Sequence, residues 1–418
     1  MIAIDSPGTW LSRIASVGAF LFFALTLSAP SGYSYGTALL FLASVAFLCR
    51  RPHLSLLAED KALAILFLAI FLISAFIFLL HGNPLKTLDQ TSRYVLAIPV
   101  LFLLLRVPPS LSFVWGGLFV GGVTSVAITL WQRHWLGIAR ADGFVTSAIP
   151  YGDIALMIAL LCIAGLFWAC TLRRHAWLWC LALVLGALAG FYSFIASETR
   201  GGWLAVPPVV VLFFIAFARK HNVKWTIHAI VTLLLVVGVV LSLAPDLGIK
   251  ARYDEAVKEV QMYRNQQVSD TSVGARLGAW HLALAGISEK PLLGWSYKDY
   301  DAKLDRLAAE KKIDPFVSGL SNTHNNYLEV WLHQGLFGLL ALLTLYFYAF
   351  WRFCRRLRHD GLMVRVLAVS GASLMVSFFM FGMTQVILGR NNGVLFFLLT
   401  LIIFWACMRH EEGKHNST

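Results

Sequence analysis

About twelve apolar stretches, each close to the length that a helix needs to cross a bilayer, dominate the sequence. Roughly 20 apolar residues in a helix span the ~30 Å hydrocarbon core of a membrane. The chain is 58% hydrophobic and only 13% charged, whereas a soluble domain is about a quarter charged. This balance excludes a soluble globular protein, a disordered chain and a disulfide-stapled secreted domain. The sequence predicts an all-α polytopic membrane protein with about 12 transmembrane helices.

The predicted spans divide the chain into three parts. We place the spans near residues 14–30, 34–49, 62–80, 94–106, 111–131, 151–171, 176–195, 202–218, 225–244, 324–350, 366–388 and 393–408. The first has no small-residue cleavage site after it, so we expect it to be retained as a span. The predicted parts are transmembrane helices 1–9 in residues 1–244, a loop domain in 245–323, and helices 10–12 with a tail in 324–418. Apolar positions in the loop domain recur at helical spacing, which predicts that it is helical.

The distribution of Lys and Arg predicts the orientation, because cytoplasmic loops of membrane proteins carry an excess of basic residues. One set of turns, together with both termini, holds 17 of the 34 Lys and Arg residues and only six acidic ones. Residues 245–323 lie on the other side and carry 11 basic and 11 acidic residues. Both termini are therefore predicted to be cytoplasmic. The net charge of +12 is mainly a topology signal, and we expect no nucleic-acid partner.

Arg200 is the first candidate site residue on the non-cytoplasmic side. It belongs to the polar turn 197–203, which separates the seventh predicted span from the eighth and contains Gly201 and Gly202. A guanidinium binds a phosphate through two parallel hydrogen bonds, and glycines allow a close approach of the backbone. A tight hairpin with an interfacial Arg remains the alternative.

Arg276 is the second candidate, in a run that leads into a predicted helix. Ser272 or Gly274 is expected to cap this helix, so that Arg276 and the positive end of the helix face the same anion. A solvated Arg on a surface helix would have the same pattern.

His324 is the third candidate, at the predicted start of the tenth span. A helix N-terminus disfavours the imidazolium form, so the ring would stay neutral and able to accept a proton near pH 7. The alternative is a histidine that only hydrogen-bonds neighbouring loops. His81, His134, His281 and His333 are the other histidines on this side.

Two carboxylate pairs suggest other chemistry. Asp299 and Asp301 have the spacing of a metal-binding pair in many sugar transferases, but hard cations need more oxygen ligands than this pair supplies. Glu198 and Glu329 resemble a glycosidase pair only if they lie close together. We therefore predict no metal site and no cofactor. The sequence also lacks nucleotide-binding loops, so the energy for a reaction must arrive in the substrate.

Four segments in this order resemble the O-antigen ligase and polymerase superfamily of bacterial envelope glycosyltransferases. They cover roughly residues 150–340 and are Glu198-Thr199-Arg200-Gly201-Gly202-Trp203, then Arg276 with Trp280 and Lys290-Pro291-Leu292-Leu293-Gly294-Trp295, then His324-Asn325-Asn326-Tyr327-Leu328, then Gln334-Gly335-Leu336-Phe337-Gly338. The resemblance implies a GT-C-like, metal-independent transferase of the bacterial inner membrane with a periplasmic active site.

The resemblance also implies substrates and roles. Its ligase branch suits the length and number of spans, and would move O-antigen polysaccharide from undecaprenyl diphosphate onto lipid A–core oligosaccharide. Arg200 and Arg276 would then bind the diphosphate and His324 would be the catalytic base of a single, inverting displacement. Arg93, Arg140 and Arg390 are secondary candidates for substrate phosphates.

Other functions stay open at this point. An O-antigen polymerase and a protein O-oligosaccharyltransferase belong to the same superfamily. A polysaccharide transporter or flippase is expected to contain internal repeats, and we detect none. A glycan-binding scaffold would need no base at His324.

The predicted orientation is testable with cysteines placed singly at Asp270 and His359 after replacement of the six native cysteines. An impermeant thiol reagent should label position 270 but not position 359 in spheroplasts with an intact inner membrane, because only 245–323 is predicted to be periplasmic. Labelling of position 359 but not 270 would reverse the topology.

Overall fold

The protein is all-α, as predicted. A computed structural model describes residues 9–145, 147–218 and 272–416, and these contain helices and turns but no strand. The longer helices are α1 (Thr9–Leu25), α2 (Gly32–Cys49), α3 (Ala58–Leu80), α4 (Asp89–Arg106), α5 (Leu111–His134), α6 (Ala148–Ala169), α7 (Ala176–Ala196), α8 (Val206–Phe217), α9 (Ser272–Glu289), α10 (Tyr297–Ala309), α11 (Asn326–Cys354), α12 (Leu362–Gly382) and α13 (Asn391–Asn416). Nine helical segments of the described residues are long and apolar enough to cross a membrane.

Eleven of the predicted spans correspond to described helices, and the ninth, 225–244, lies outside the described residues. Some ends differ. α1 ends at Leu25 rather than near 30, and turns lead from it to Pro30, which disfavours a helical conformation at Ala29. α13 continues to Asn416, since a helix need not end where its apolar stretch does. α12 ends at Gly382 instead of 388, and a short 3-10 turn, Ile387–Gly389, follows it.

The helices α6, α12 and α13 form the centre of the bundle. Most of their residues are buried, and α13 is apolar around its whole circumference until its charged end. A helix that is apolar on all sides is stable only where other helices surround it. The more exposed helices α2, α3 and α5 present large apolar side chains on their outer faces, as expected for contact with lipid.

A cluster of paired charges joins three helices at one end of the bundle. Glu59 lies in the first turn of α3 and is ion-paired with Arg352 in the last turn of α11, with Arg356 just after that helix, and with Arg409 of α13. Arg356 also donates to Glu412, with an Nη2–Oε2 distance of 2.9 Å. Buried charges of this kind need partners. Three of the arginines in the basic excess that predicts the orientation are therefore compensated here by carboxylates.

The helices α9 and α10 lie at the opposite end of the bundle, which we call the loop end. The segment between them, residues 290–296, docks on α11 through the backbone. The Trp295 N–H donates to Leu332 O at 2.7 Å, and the Leu336 N–H donates to Pro291 O at 2.9 Å. These bonds are available because α11 is interrupted at Gly335, whose φ of 64° and ψ of −169° are not helical.

Two glycines make this docking possible. A Cβ at Gly335 would lie 2.0 Å from Leu292 O, and a Cβ at Gly294 would lie 2.5 Å from Leu332 O. Both residues also have positive φ, which residues with a Cβ rarely adopt. Gly294 and Gly335 belong to two of the segments that resemble the superfamily. Their presence has a structural explanation, because they allow two backbone segments at the loop end to come into direct contact.

We expect Gly335→Ala to destabilise the protein far more than Gly137→Ala. Both glycines have a φ near 65°, so both variants bear backbone strain, and the strain is greater at Gly335, whose ψ of −169° lies in a region essentially restricted to glycine. Gly137 has no atom within 4 Å of its Cβ position, so only Gly335→Ala adds a backbone clash. The measurement is thermal unfolding in detergent together with the yield of folded protein. Equal losses in the two variants would show that the docking contributes little.

Candidate functional site

His324 lies at the loop end, immediately before α11. Its backbone has a φ of 51°, and its N–H donates to Asn322 Oδ1 at 2.9 Å. The helix cap is the next residue, Asn325, whose Oδ1 accepts from the N–H groups of Tyr327 and Leu328. The sequence thus placed His324 within two residues of the start of α11, but the residue precedes the cap.

Gln385 fixes the orientation of the His324 ring. The His324 Nδ1 and Gln385 Oε1 atoms are 3.1 Å apart. The same amide oxygen accepts from the Val386 N–H at 3.0 Å, which identifies it as an oxygen. Because this atom can only accept, His324 must carry its hydrogen on Nδ1, and Nε2 keeps a lone pair that can take a proton.

The surroundings of His324 lower its pKa below the ordinary value of 6.5. Burial is the main cause, the positive charges of Arg276 and Arg390 add to it, and the hydrogen bond to Gln385 opposes it. The ring is therefore neutral at neutral pH. The sequence argument expected a neutral ring because of the helix N-terminus, whereas burial and two arginines provide it here.

Arg276 lies on α9, four residues before Trp280 and so on the same face of the helix. The indole N–H of Trp280 donates to Thr323 O at 2.9 Å, which ties α9 to the His324 loop. Ser272 is the first residue of α9, and Gly274 lies within the first turn. Of the two predicted caps, Gly274 is therefore wrong, and Ser272 lies at the first described residue of the helix.

Arg200 precedes the short 3-10 turn Gly201–Ala205, and Glu198 before it has a φ of 56°. This turn packs against the segment that follows α12: a Cβ at Gly201 would lie 2.0 Å from Thr384 Oγ1. Thr384 is the neighbour of Gln385, so residues 384–385 contact both the Arg200 turn and His324. The structure thereby brings these two parts of the chain together.

The three secondary arginines differ in their surroundings. Arg140 Nε donates to Ser197 O at 3.2 Å and lies 3.8 Å from Glu198 Oε2, so it supports the Arg200 turn. Arg390 follows the 3-10 turn after α12, and its charge acts on His324. Arg93 is ion-paired with Asp89 on its own helix, with an N–O distance of 2.7 Å, and none of its described contacts leads to His324.

His333 and Glu329, which also lie at the loop end, contact Tyr297, Thr323 and each other. His333 stacks on Tyr297 with 4.0 Å between ring centres, and its Nε2 lies 3.8 Å from Glu329 Oε1. Glu329 Oε2 accepts from the Thr323 N–H at 2.9 Å. In the described part of the chain no three His, Cys, Asp or Glu side chains group closely enough to hold a metal ion.

Sequence reasoning missed Gln385, and it considered Glu329 only as half of a glycosidase pair with Glu198. Gln385 fell inside the predicted span 366–388, where a lone polar residue gives no signal. Asn322 and Glu329 support the loop only after it folds back over the start of α11, where Asn322 Oδ1 accepts from the His324 N–H and Glu329 Oε2 accepts from the Thr323 N–H. A search for polar residues near predicted helix ends would have found Glu329 but not the Thr323 N–H from which it accepts.

Comparison with known proteins supports the resemblance seen in the motifs. The family profile described as O-Antigen ligase matches residues 185–343, which contain Arg200, Arg276 and His324. The chain is 26% identical to an O-antigen ligase of Escherichia coli over 245 residues, 58% of this chain and 54% of that ligase. It is also 26% identical to an uncharacterized protein of Haemophilus influenzae over 395 residues, 92% of this chain and 96% of that protein. The predicted resemblance to the O-antigen ligase superfamily is confirmed.

We expect the pKa of His324 to lie below 6.5 and to rise in Arg276→Gln, because this variant removes a positive charge that disfavours the imidazolium. The measurement is an NMR titration of protein with isotopically labelled histidine, in which His324→Gln assigns the signal. Arg106→Gln at the far end of α4 is the control and should leave the pKa unchanged. A pKa that stays the same in Arg276→Gln would contradict the electrostatic coupling.

Proposed function

We propose that this chain, whose residues 185–343 match the O-antigen ligase family, is a glycosyltransferase that moves O-antigen polysaccharide from undecaprenyl diphosphate onto lipid A–core oligosaccharide. The observation that carries the proposal is the state of His324: a neutral ring, held by Gln385 through Nδ1 and placed near Arg276 and Arg390. A base beside cationic groups is the arrangement that transfer from an anionic leaving group requires.

The proposed reaction is a single displacement. His324 Nε2 takes the proton of an acceptor hydroxyl, and the oxygen attacks the anomeric carbon of the donor sugar. The bond from that carbon to the diphosphate oxygen breaks, and undecaprenyl diphosphate leaves. Arg200 and Arg276 stabilise the charge of the leaving diphosphate, so no general acid is needed. The anomeric configuration is inverted.

The electrostatics of the site link the base to the donor. The charges of Arg276 and Arg390 disfavour protonation of His324. A bound diphosphate would offset these charges, so the pKa of His324 would rise and the ring would accept a proton more easily. His324 would therefore be the strongest base when the donor is bound. Without the donor, it would take up a proton less readily.

The proposal includes a location and a lipid environment. An undecaprenyl chain lies in the bilayer with its diphosphate at the surface, and the Arg200 turn follows the end of an apolar helix. We place the site on the periplasmic face of the inner membrane, with both termini in the cytoplasm. The arginines neutralise the diphosphate, so we expect neither a metal nor another cofactor to take part.

The ligase and polymerase alternatives are separated by the lipopolysaccharide gel pattern of a deletion strain. Loss of all O-antigen on the lipid A–core indicates a ligase. A band with a single repeat unit indicates a polymerase. An unchanged pattern would oppose both functions.

Replacing His324 by Ala should lower turnover by roughly 10²–10⁴-fold, the usual contribution of a general base, with donor binding largely kept. Arg200→Lys and Arg276→Lys retain the charge but lose the paired hydrogen bonds, so donor binding and turnover should both decline. The measurement uses purified protein, lipid-linked donor and acceptor in excess chelator.

His134→Ala is the matched control, because this exposed histidine ends α5, and it should keep full activity. If His324→Ala loses donor binding but turns over bound donor normally, His324 is a binding residue and the base must be another group. Activity that vanishes in chelator and returns with magnesium or manganese would make Asp299 and Asp301 the leading site.

A further inference from the structure

A cavity of about 270 Å³ opens at the loop end between α3, α4 and α11. The aromatic rings of Tyr94 and Tyr297 form part of its wall. The main polar side chains of the wall are those of Gln90, Asn322, Asn326, Glu329, Gln334 and Arg390. A smaller cavity of about 90 Å³ shares Tyr297, Asn322 and Glu329 with it. The two together reach the lower end of the ~300–1,000 Å³ range of ligand sites.

Asn326 provides independent evidence for a ligand in this cavity. The residue is 1% exposed, and its Oδ1 accepts from the Leu388 N–H at 3.2 Å. Its Nδ2 is buried and has no hydrogen-bond partner among the described residues. Buried donors are almost always satisfied, so the cavity wall contains an amide whose donor lacks a partner among the described residues.

Glu329 connects the cavity to the His324 loop. One carboxylate oxygen accepts from the Thr323 N–H at 2.9 Å, next to His324 in the chain. The side chain is 12% exposed and lies at the boundary of the two cavities. A ligand that hydrogen-bonds Glu329 and Asn322 would therefore be held beside the His324 loop.

The cavity differs in composition from the site proposed for the diphosphate. Neither Arg200 nor Arg276 lines it, and Arg390 is its one lining Lys or Arg residue among those described. Amides, a carboxylate and aromatic faces suit the hydroxyl groups and C–H faces of a sugar. One arginine suits a single acidic substituent. Asn322, whose Oδ1 accepts from the His324 N–H at 2.9 Å, lines the cavity, so the cavity adjoins the loop that carries the proposed base.

We propose that this cavity is a saccharide-binding site and that it holds the acceptor sugar, whose hydroxyl it presents to His324. The role as acceptor site rests on the proposed function, whereas saccharide binding does not. Gln90 of α4 and Asn326 of α11 bind the sugar from two walls, and Glu329 aligns the sugar with the loop.

The first experiment measures binding without any reaction. The probe is core oligosaccharide released by mild acid from lipopolysaccharide that lacks O-antigen, titrated calorimetrically into the full-length protein in detergent. Gln90→Ala should weaken binding roughly tenfold, as expected for a lost hydrogen bond to a sugar. Asn326→Asp keeps the oxygen that Leu388 needs and removes the Nδ2 donor, so it should weaken binding too.

Ser92→Ala is the matched control, because Ser92 lies on the same helix as Gln90 but does not line the cavity. Wild-type protein that does not bind the oligosaccharide, or a Gln90→Ala variant that binds it as tightly as Ser92→Ala, would overturn the inference.

The second experiment uses transfer kinetics. Gln90→Ala should raise the acceptor KM roughly tenfold with little change in kcat and in the donor KM, since it removes binding that is equal in ground and transition states. A raised donor KM with an unchanged acceptor KM would assign the cavity to the donor glycan and overturn the acceptor role. Oligosaccharide binding that depends on Gln90 in a protein without transferase activity would support the saccharide site and refute the proposed function.

Discussion

The backbone contact between residues 291–295 and the interruption of α11 is the constraint on which the loop end depends. Gly335 turns the chain out of helical geometry, and Gly294 allows the facing backbone to approach it. The hydrogen bonds at 2.7 and 2.9 Å satisfy groups that the interrupted helix would otherwise leave unpaired. In a membrane protein such groups are costly, so the break and the docked segment need each other.

This contact positions the candidate catalytic residues. It holds α11, whose first residues follow the His324 loop, against the segment that follows α9. It also fixes α9, whose Trp280 bonds to Thr323 and whose Arg276 acts on the imidazole. The turn after α12 completes the arrangement, because Gln385 holds the ring on one side while Thr384 contacts the Arg200 turn.

The two ends of the bundle use arginine differently. At the Glu59 end, ion pairs with carboxylates link three helices through Arg352, Arg356 and Arg409. At the loop end, the charges of Arg276 and Arg390 act on a neutral histidine. Removing a carboxylate would disrupt the first cluster, whereas removing Arg276 or Arg390 would raise the pKa of His324. The same residue type therefore stabilises the fold at one end and acts on a titratable ring at the other.

The sequence predicted the helices well, because each depends on a local property, the length of an apolar stretch. It also singled out Arg200, Arg276 and His324 by their residue type and position near helix ends. It predicted the end of α12 wrongly and so missed Gln385. A span is recognised by its apolar residues, and nothing local to residues 383–388 shows that the helix has already ended.

By itself, the sequence determined that the chain is an all-α membrane protein, since only helices satisfy the backbone of such apolar stretches in lipid. The tertiary structure alone decided which distant groups meet. The tautomer of His324 depends on Gln385, its low pKa depends on burial and on Arg276 and Arg390, and the unfilled donor of Asn326 depends on the cavity around it. These contacts join residues that are far apart in the chain, and only the folding of the chain brings them together.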